Sequence, residues 1–190
     1  MTDILPRLSR GEKRMLLDLA RRAASARLNS KPPPLLTDPP PRLSQPQGAF
    51  VSLHIRGKLR GCVGMVLPER ALADTVSSCA AAAATDDPRF DPLAPAELAE
   101  VTIEISALDP PFRVADPSRI SIGTHGLMVT KGGRRGLLLP QVAIDQGWDV
   151  PTFLAETCLK AGLPSDAWTN EAIVEAFSAQ VFSEKGLGFH

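Results

Sequence analysis

The 190-residue chain has no tyrosine and only two tryptophans. That leaves little aromatic surface on which single-stranded bases could stack. Neither sign of charge is in excess: 21 lysines and arginines balance 21 aspartates and glutamates. A net charge of zero argues against a domain that coats nucleic acid or an anionic membrane, although it leaves room for a local basic pocket. The three cysteines, Cys62, Cys79 and Cys158, form no CxxC pair. An odd, scattered set of this kind indicates reduced thiols in a cytoplasm, not a disulfide framework or a zinc site. His54, His125 and His190 show no HxH or HxxxH spacing, so no metal site and no cofactor is expected. No apolar run approaches the ~18 residues of a spanning helix. The N-terminus lacks the basic start and apolar core of a signal peptide, so no membrane contact is expected.

Apolar residues make up 44% of the chain, enough for a real core in one domain or two small lobes. Ser9 to Asn29 reads as a helix. Ser9 and Glu12 have capping-box spacing, and Met15, Leu16, Leu19, Ala20 and Ala23 form one stripe. Arg14, Arg21 and Arg22 fall largely outside that stripe and read as a solvated face. Residues 30–47 hold seven of the 18 prolines. Proline fixes φ and lacks an amide donor, so this stretch is expected to be an extended surface connector, with a PxxP-type ligand as the alternative.

Ala49 to Ile55 alternates, with Val51, Leu53 and Ile55 on one side and Phe50, Ser52 and His54 on the other. Arg56-Gly57-Lys58 predicts a hairpin turn, with a return strand from Leu59. The alanine-rich stretch 71–85 predicts a helix in which Cys79 is a small buried residue. Val101 to Leu108 alternates again, with Thr102, Glu104 and Ser106 opposite the apolar side. Lys131 to Arg135 reads as a hairpin tip, Asp149 to Gly162 as a helix, and Ile173 to Phe182 as a last strand. Residues 185–190 read as a loose tail. Hairpins and proline stops dominate and regular βαβ units are missing, so the fold class is α+β with mainly antiparallel sheets flanked by helices.

Seven segments stand in a recognisable order: "LRGCVG" at 59–64, "DPRF" at 87–90, "VTIEISAL" at 101–108, "GTHGL" at 123–127, "GRRGLLLPQVA" at 133–143, "QGWD" at 146–149 and "CLKAGL" at 158–163. The series resembles the AMMECR domain family, in the form found in the bacterial AmmeMemoRadiSam system. It covers residues 9–184. The resemblance implies two lobes, the larger built from both chain ends and the smaller from the middle, with a cleft between them. It also implies Memo-type and radical SAM partner proteins. It implies no particular reaction.

The candidate chemistry centres on Cys62. A thiol becomes nucleophilic when positive charge or aimed amides favour the thiolate. Arg60 lies two residues away, and Gly61 and Gly64 permit close approach of a ligand. The bland alternative is a glycine-made bend or bulge with Cys62 filling a small space. His125 is a candidate base or a loop-fixing side chain. Glu104 is an acid–base candidate, a solvated strand carboxylate, or the partner of Arg60 or Arg89. Arg89 could grip a ligand carboxylate or phosphate bidentately. Two readings follow. One is a small-ligand domain performing thiol-based group transfer, with Cys62 as nucleophile, His125 as base and Arg60 or the glycine amides holding negative charge. The other is a non-enzymatic interaction module for the Memo-type and radical SAM partners.

Overall fold

The computed structural model describes residues 5–67 and 69–188. The described chain forms two compact units, one from residues 5–108 and 180–188, the other from Asp109–Ala179.

In the first unit, α1 (Arg10–Leu28) starts at a complete capping box. The Glu12 amide donates to Ser9 Oγ, and the Ser9 amide donates to Glu12 Oε2 at 2.8 Å. Its apolar stripe buries Leu16, Leu17, Leu19, Ala20, Ala23 and Ala24, whereas Met15 faces outward. The strands β1 (Ala49–Ile55) and β2 (Lys58–Met65) are joined by Arg56 and Gly57, both at positive φ. That two-residue turn matches the twist of the strands it joins, and it starts β2 one residue earlier than the sequence suggests. Next come α2 (Leu72–Thr85) and β3 (Val101–Leu108), and the chain returns to this unit with β8 (Ala179–Ser183) and α5 (Glu184–Leu187). The sheet order is β2-β1-β3-β8, and β1 is antiparallel to both of its neighbours. Ala49, Val51, Leu53, Val101, Ile103, Ile105 and Ala107 turn one face into the core with α1 and α2. The side chains between them form the opposite face, open at Ser52, His54, Cys62, Thr102 and Glu104, which are half-buried, and closed at Ser106 and Leu108.

The second unit carries the sheet β4-β7-β5-β6, from β4 (Phe112–Arg113), β5 (Gly126–Lys131), β6 (Arg134–Leu138) and β7 (Ile173–Phe177), all antiparallel. Gly132 and Gly133, both at positive φ, turn β5 into β6. Two helices, α3 (Pro140–Gln146) and α4 (Val150–Lys160), complete it, with Phe153, Leu154 and Cys158 buried. Two antiparallel sheets with helices make the fold α+β.

The structure corrects four sequence readings. Arg21 is not on a solvated face: its guanidinium binds both Glu184 oxygens at 2.6 Å and the carbonyls of Leu98 and Val101. The Glu184 carboxylate also receives the Ile103 amide, so it ties α1, β3 and α5 together. This turns Glu184–Leu187 into a helical turn where a loose tail is expected from 185; residues 189–190 lie outside the described residues. Residues 30–47 are not simply a surface connector. Leu43 is fully buried, and backbone bonds Ala73 N–H to Leu43, Leu72 N–H to Gln45 and Gln47 N–H to Arg70 stitch the segment to the start of α2. Burying one leucine is worth about 1.5–3 kcal/mol, enough to pin a chain whose prolines have already reduced its freedom. Finally, 173–182 is not one strand. It breaks at Ser178 into β7 and β8, which belong to different sheets.

Candidate functional site

Residues 59–64 lie wholly within β2, the edge strand of the first sheet. Leu53 pairs with Gly61 and His54 with Leu59, so Arg60 is the extra residue of a β-bulge. Gly61 faces the helix side. A Cβ there would stand 2.1 Å from the Ala83 carbonyl oxygen of α2, so only glycine admits this close helix–strand packing. Gly64 faces the other way and is covered by the Phe50 ring, 2.2 Å from where a Cβ would sit.

Cys62 is half-buried on the open face, directly opposite Ser52, which in turn is opposite Glu104. The three side chains form one row across β2, β1 and β3. The backbone of Cys62 does not bond to Ser52. Its N–H donates to Asp87 Oδ2 at 2.8 Å, and its carbonyl accepts from Arg89 Nη2 at 3.3 Å. Cys62 and Ser52 are therefore a non-hydrogen-bonded pair, the closer of the two antiparallel kinds, with Cα atoms about 4.5 Å apart. This closeness lets Ser52 Oγ donate to Cys62 Sγ at 3.2 Å.

Asp87 and Arg89 close the strand edge at this point. Asp87 has a side chain only 4% exposed and accepts from the Cys62 amide and from the Arg89 backbone N–H, Nε and Nη2. The Arg89 guanidinium, first, and these amides hold its carboxyl well below the usual carboxylate range, outweighing the opposing effect of burial. Arg89 is itself raised, first by its hydrogen bonds to Asp87 and further by the adjacent Cys62. Its side chain is 57% exposed, and its Nη1 makes no hydrogen bond among the described residues.

Other expected participants lie elsewhere or are already engaged. Arg60, two residues from Cys62, directs its guanidinium to both Glu97 oxygens and to the carbonyls of Asp91 and Pro92. The cation beside Cys62 is Arg89. Gly61 and Gly64 do not form an amide nest, because amides alternate in direction along a strand and that of Cys62 is taken by Asp87. Glu104 pairs with neither Arg60 nor Arg89, and its half-buried carboxylate has no partner among the described residues. His125 belongs to the second unit. Its Nδ1 accepts the Ser121 amide at 3.1 Å and its ring meets Phe112 edge-on, while burial lowers its basicity. His54, which reads from sequence as a surface or partner-facing residue on the side of Phe50 and Ser52, stands two positions from Ser52, with no partner among the described residues. Alternation alone put it beside Ser52; only the register shows that Cys62 shares the face.

The other thiols are closed off. Cys79 is 1% exposed, and burial pushes it up to about 11; Cys158 is fully buried and likewise raised by burial. A cavity of about 700 Å³ opens between α1, β3 and α5, but Arg21 and Glu184 in its wall are consumed by each other and no thiol or imidazole lines it. Cys62, Ser52, His54 and Glu104 lie on the other face of the first sheet instead. Among the described residues, no group of three His, Cys, Asp or Glu side chains is placed to hold a metal, and no helix is long and apolar enough to cross a membrane.

A family model described as AMMECR1 matches residues 17–182, nearly the whole chain. The chain belongs to the AMMECR1 family. A protein of Methanothermobacter thermautotrophicus is 46% identical over 94% of this chain and 97% of its own length. Protein TK0174 of Thermococcus kodakarensis is 42% identical over 90% of this chain and 89% of its own. The crystal structure of PH0010 from Pyrococcus horikoshii superposes with a TM-score of 0.88 at 38% identity, covering 95% of each chain. The AMMECR1 fold thus extends over both units, including the edge strand that carries Cys62.

Proposed function

We propose that this AMMECR1 protein performs thiol-based group transfer on a small ligand seated on the open face of the first sheet, with Cys62 as nucleophile. The observation that carries the reading is the setting of Cys62: it is the half-buried thiol of the three, with a hydroxyl donor and a fixed guanidinium beside it. A hydroxyl donor and a cation placed here can stabilise negative charge that gathers at the site during transfer. His54, two positions from Ser52 on the same face and without a partner among the described residues, accepts the thiol proton. The sulfur then bonds to an electrophilic carbon of the ligand as the bond from that carbon to its leaving group breaks. The leaving group departs with the proton held by His54, and an acceptor water or amine then displaces the sulfur, its proton passing through His54 back to the thiolate. In this reading the domain works in the cytoplasm, beside Memo-type and radical SAM proteins of the system its motifs resemble.

The test is alkylation of the folded protein with iodoacetamide, read peptide by peptide by mass spectrometry. Cys62 labels at least tenfold faster than Cys79 or Cys158, which label only on unfolding, and His54→Gln slows Cys62. Equal protection of all three cysteines in the native protein would remove the nucleophile.

A further inference from the structure

The row that contains Cys62 has opposite charges at its two ends. At the β2 edge, Arg89 is held by the buried Asp87 while its Nη1 makes no hydrogen bond among the described residues. At the other end, on β3, Glu104 carries a half-buried carboxylate with no partner among the described residues. That carboxylate is therefore available to a cation presented on this face. Ser52 and Cys62 lie between the two ends.

The spacing follows from the ladder. Cys62 and Ser52 are the close kind of antiparallel pair. Ser52 therefore turns its backbone bonds towards β3, which makes Ser52 and Glu104 the wider, hydrogen-bonded kind. The two pairs together set Cys62 and Glu104 about 10 Å apart at Cα. The Cys62 carbonyl is directed off the β2 edge to Arg89 Nη2, so the guanidinium stands about 4 Å further out and the charged ends are about 14 Å apart. Each ion pair takes up about 3 Å of that span. What remains suits a molecule whose own charges are about 8 Å apart, longer than an α-amino acid and within reach of a dipeptide or an ω-amino acid. Phe50, lying over Gly64, adds an apolar flank for the connecting chain.

We infer that the ligand of this face is bipolar: its acid group binds Arg89 Nη1, its ammonium group pairs with Glu104, and its middle lies over Ser52 and Cys62. This inference names the substrate class for the site of the group-transfer reading and rests on that reading only for what Cys62 then does.

The experiment uses the full chain with Cys62→Ser, so that binding is measured without thiol chemistry. Isothermal titration calorimetry compares ε-aminocaproate with caproate, hexylamine and adipate. ε-Aminocaproate binds at least fivefold more tightly than the other three. Glu104→Gln removes that preference, a loss of about tenfold for a charge-assisted contact. Glu104→Lys transfers the preference to adipate, and so reports on the site even if one variant is poorly folded. Equal affinity for caproate and ε-aminocaproate, or an unchanged preference in Glu104→Gln, overturns the bipolar ligand. Selective, Glu104-dependent binding together with an unreactive Cys62 leaves the ligand class standing and removes the transfer chemistry.

Discussion

Replacing Gly61 by alanine tests the packing that holds Cys62 in place. The added Cβ would stand 2.1 Å from the Ala83 carbonyl oxygen and 3.2 Å from its carbon. Ordinary contact begins near 3.4 Å, so β2 or α2 must move by more than an ångström. Both partners in the clash are backbone, and no side chain can rotate away. Overpacking typically costs about 1–3 kcal/mol. With backbone on both sides the cost belongs at the upper end, about 3 kcal/mol, and the loss of glycine freedom in the unfolded chain returns about 0.5 kcal/mol. Gly64→Ala is the matched control. The nearest atoms to its Cβ are Cδ1, Cγ and Cε1 of the Phe50 ring, a side chain that can change rotamer where backbone cannot, so the expected cost is smaller, about 1 kcal/mol. Both tryptophans lie in the other unit, so fluorescence does not watch this packing directly. Cys79 does. It is buried in α2 and becomes labelled when the first unit opens. Urea titration with pulsed labelling of Cys79 should place the Gly61→Ala midpoint about 1–2 M below wild type, and that of Gly64→Ala much closer to it. A Gly61→Ala midpoint within error of the Gly64→Ala value would refute the claim that close helix approach requires this glycine.

Asp87→Asn should cost about 2 kcal/mol, the scale of hydrogen bonds to a buried charged group. The folded-state pKa of Asp87 is depressed, so its stabilisation is fully present above the ordinary aspartate value near ~3.9 and is lost as pH falls through the folded value. The gap between wild type and Asp87→Asn should therefore be constant from neutral pH down to about 5 and narrow towards pH 2, as read by urea titration at each pH. A gap independent of pH would mean that the carboxylate charge is not what stabilises the β2 edge. Glu184→Ala leaves Arg21 and the Ile103 amide without their acceptor and should cost about 2–3 kcal/mol, less than for a fully buried pair because Arg21 is one-third exposed. The double variant Arg21→Met, Glu184→Met should recover part of that loss in the same titration.

Much of the fold is legible locally. The Ser9–Glu12 box starts α1, alternation in 49–55 and 101–108 sorts core from open face, and the Arg56-Gly57 and Gly132-Gly133 pairs turn two hairpins. These signals survive in sequence because each depends on neighbours within one turn of helix or one hairpin. The candidate site is legible only in part. The sequence singles out Cys62, Glu104 and Arg89, but it offers Arg60 as the cation for the thiol because Arg60 is nearest along the chain. The bulge at Arg60 and its capture by Glu97 undo that. His54 is not singled out by the sequence because nothing in its own strand reports what lies on the next one.

The sequence by itself determined the element types, the α+β class, the alternation that sets aside an open face, and the family. Only the tertiary structure decided which groups meet there. Arg89 reaches Cys62 across 27 positions of chain, and Ser52 and Glu104 fall into its row by strand register. Pairing across a sheet is fixed by the backbone ladder and by what the other face must bury. A periodic pattern in one strand carries no record of its neighbour's register.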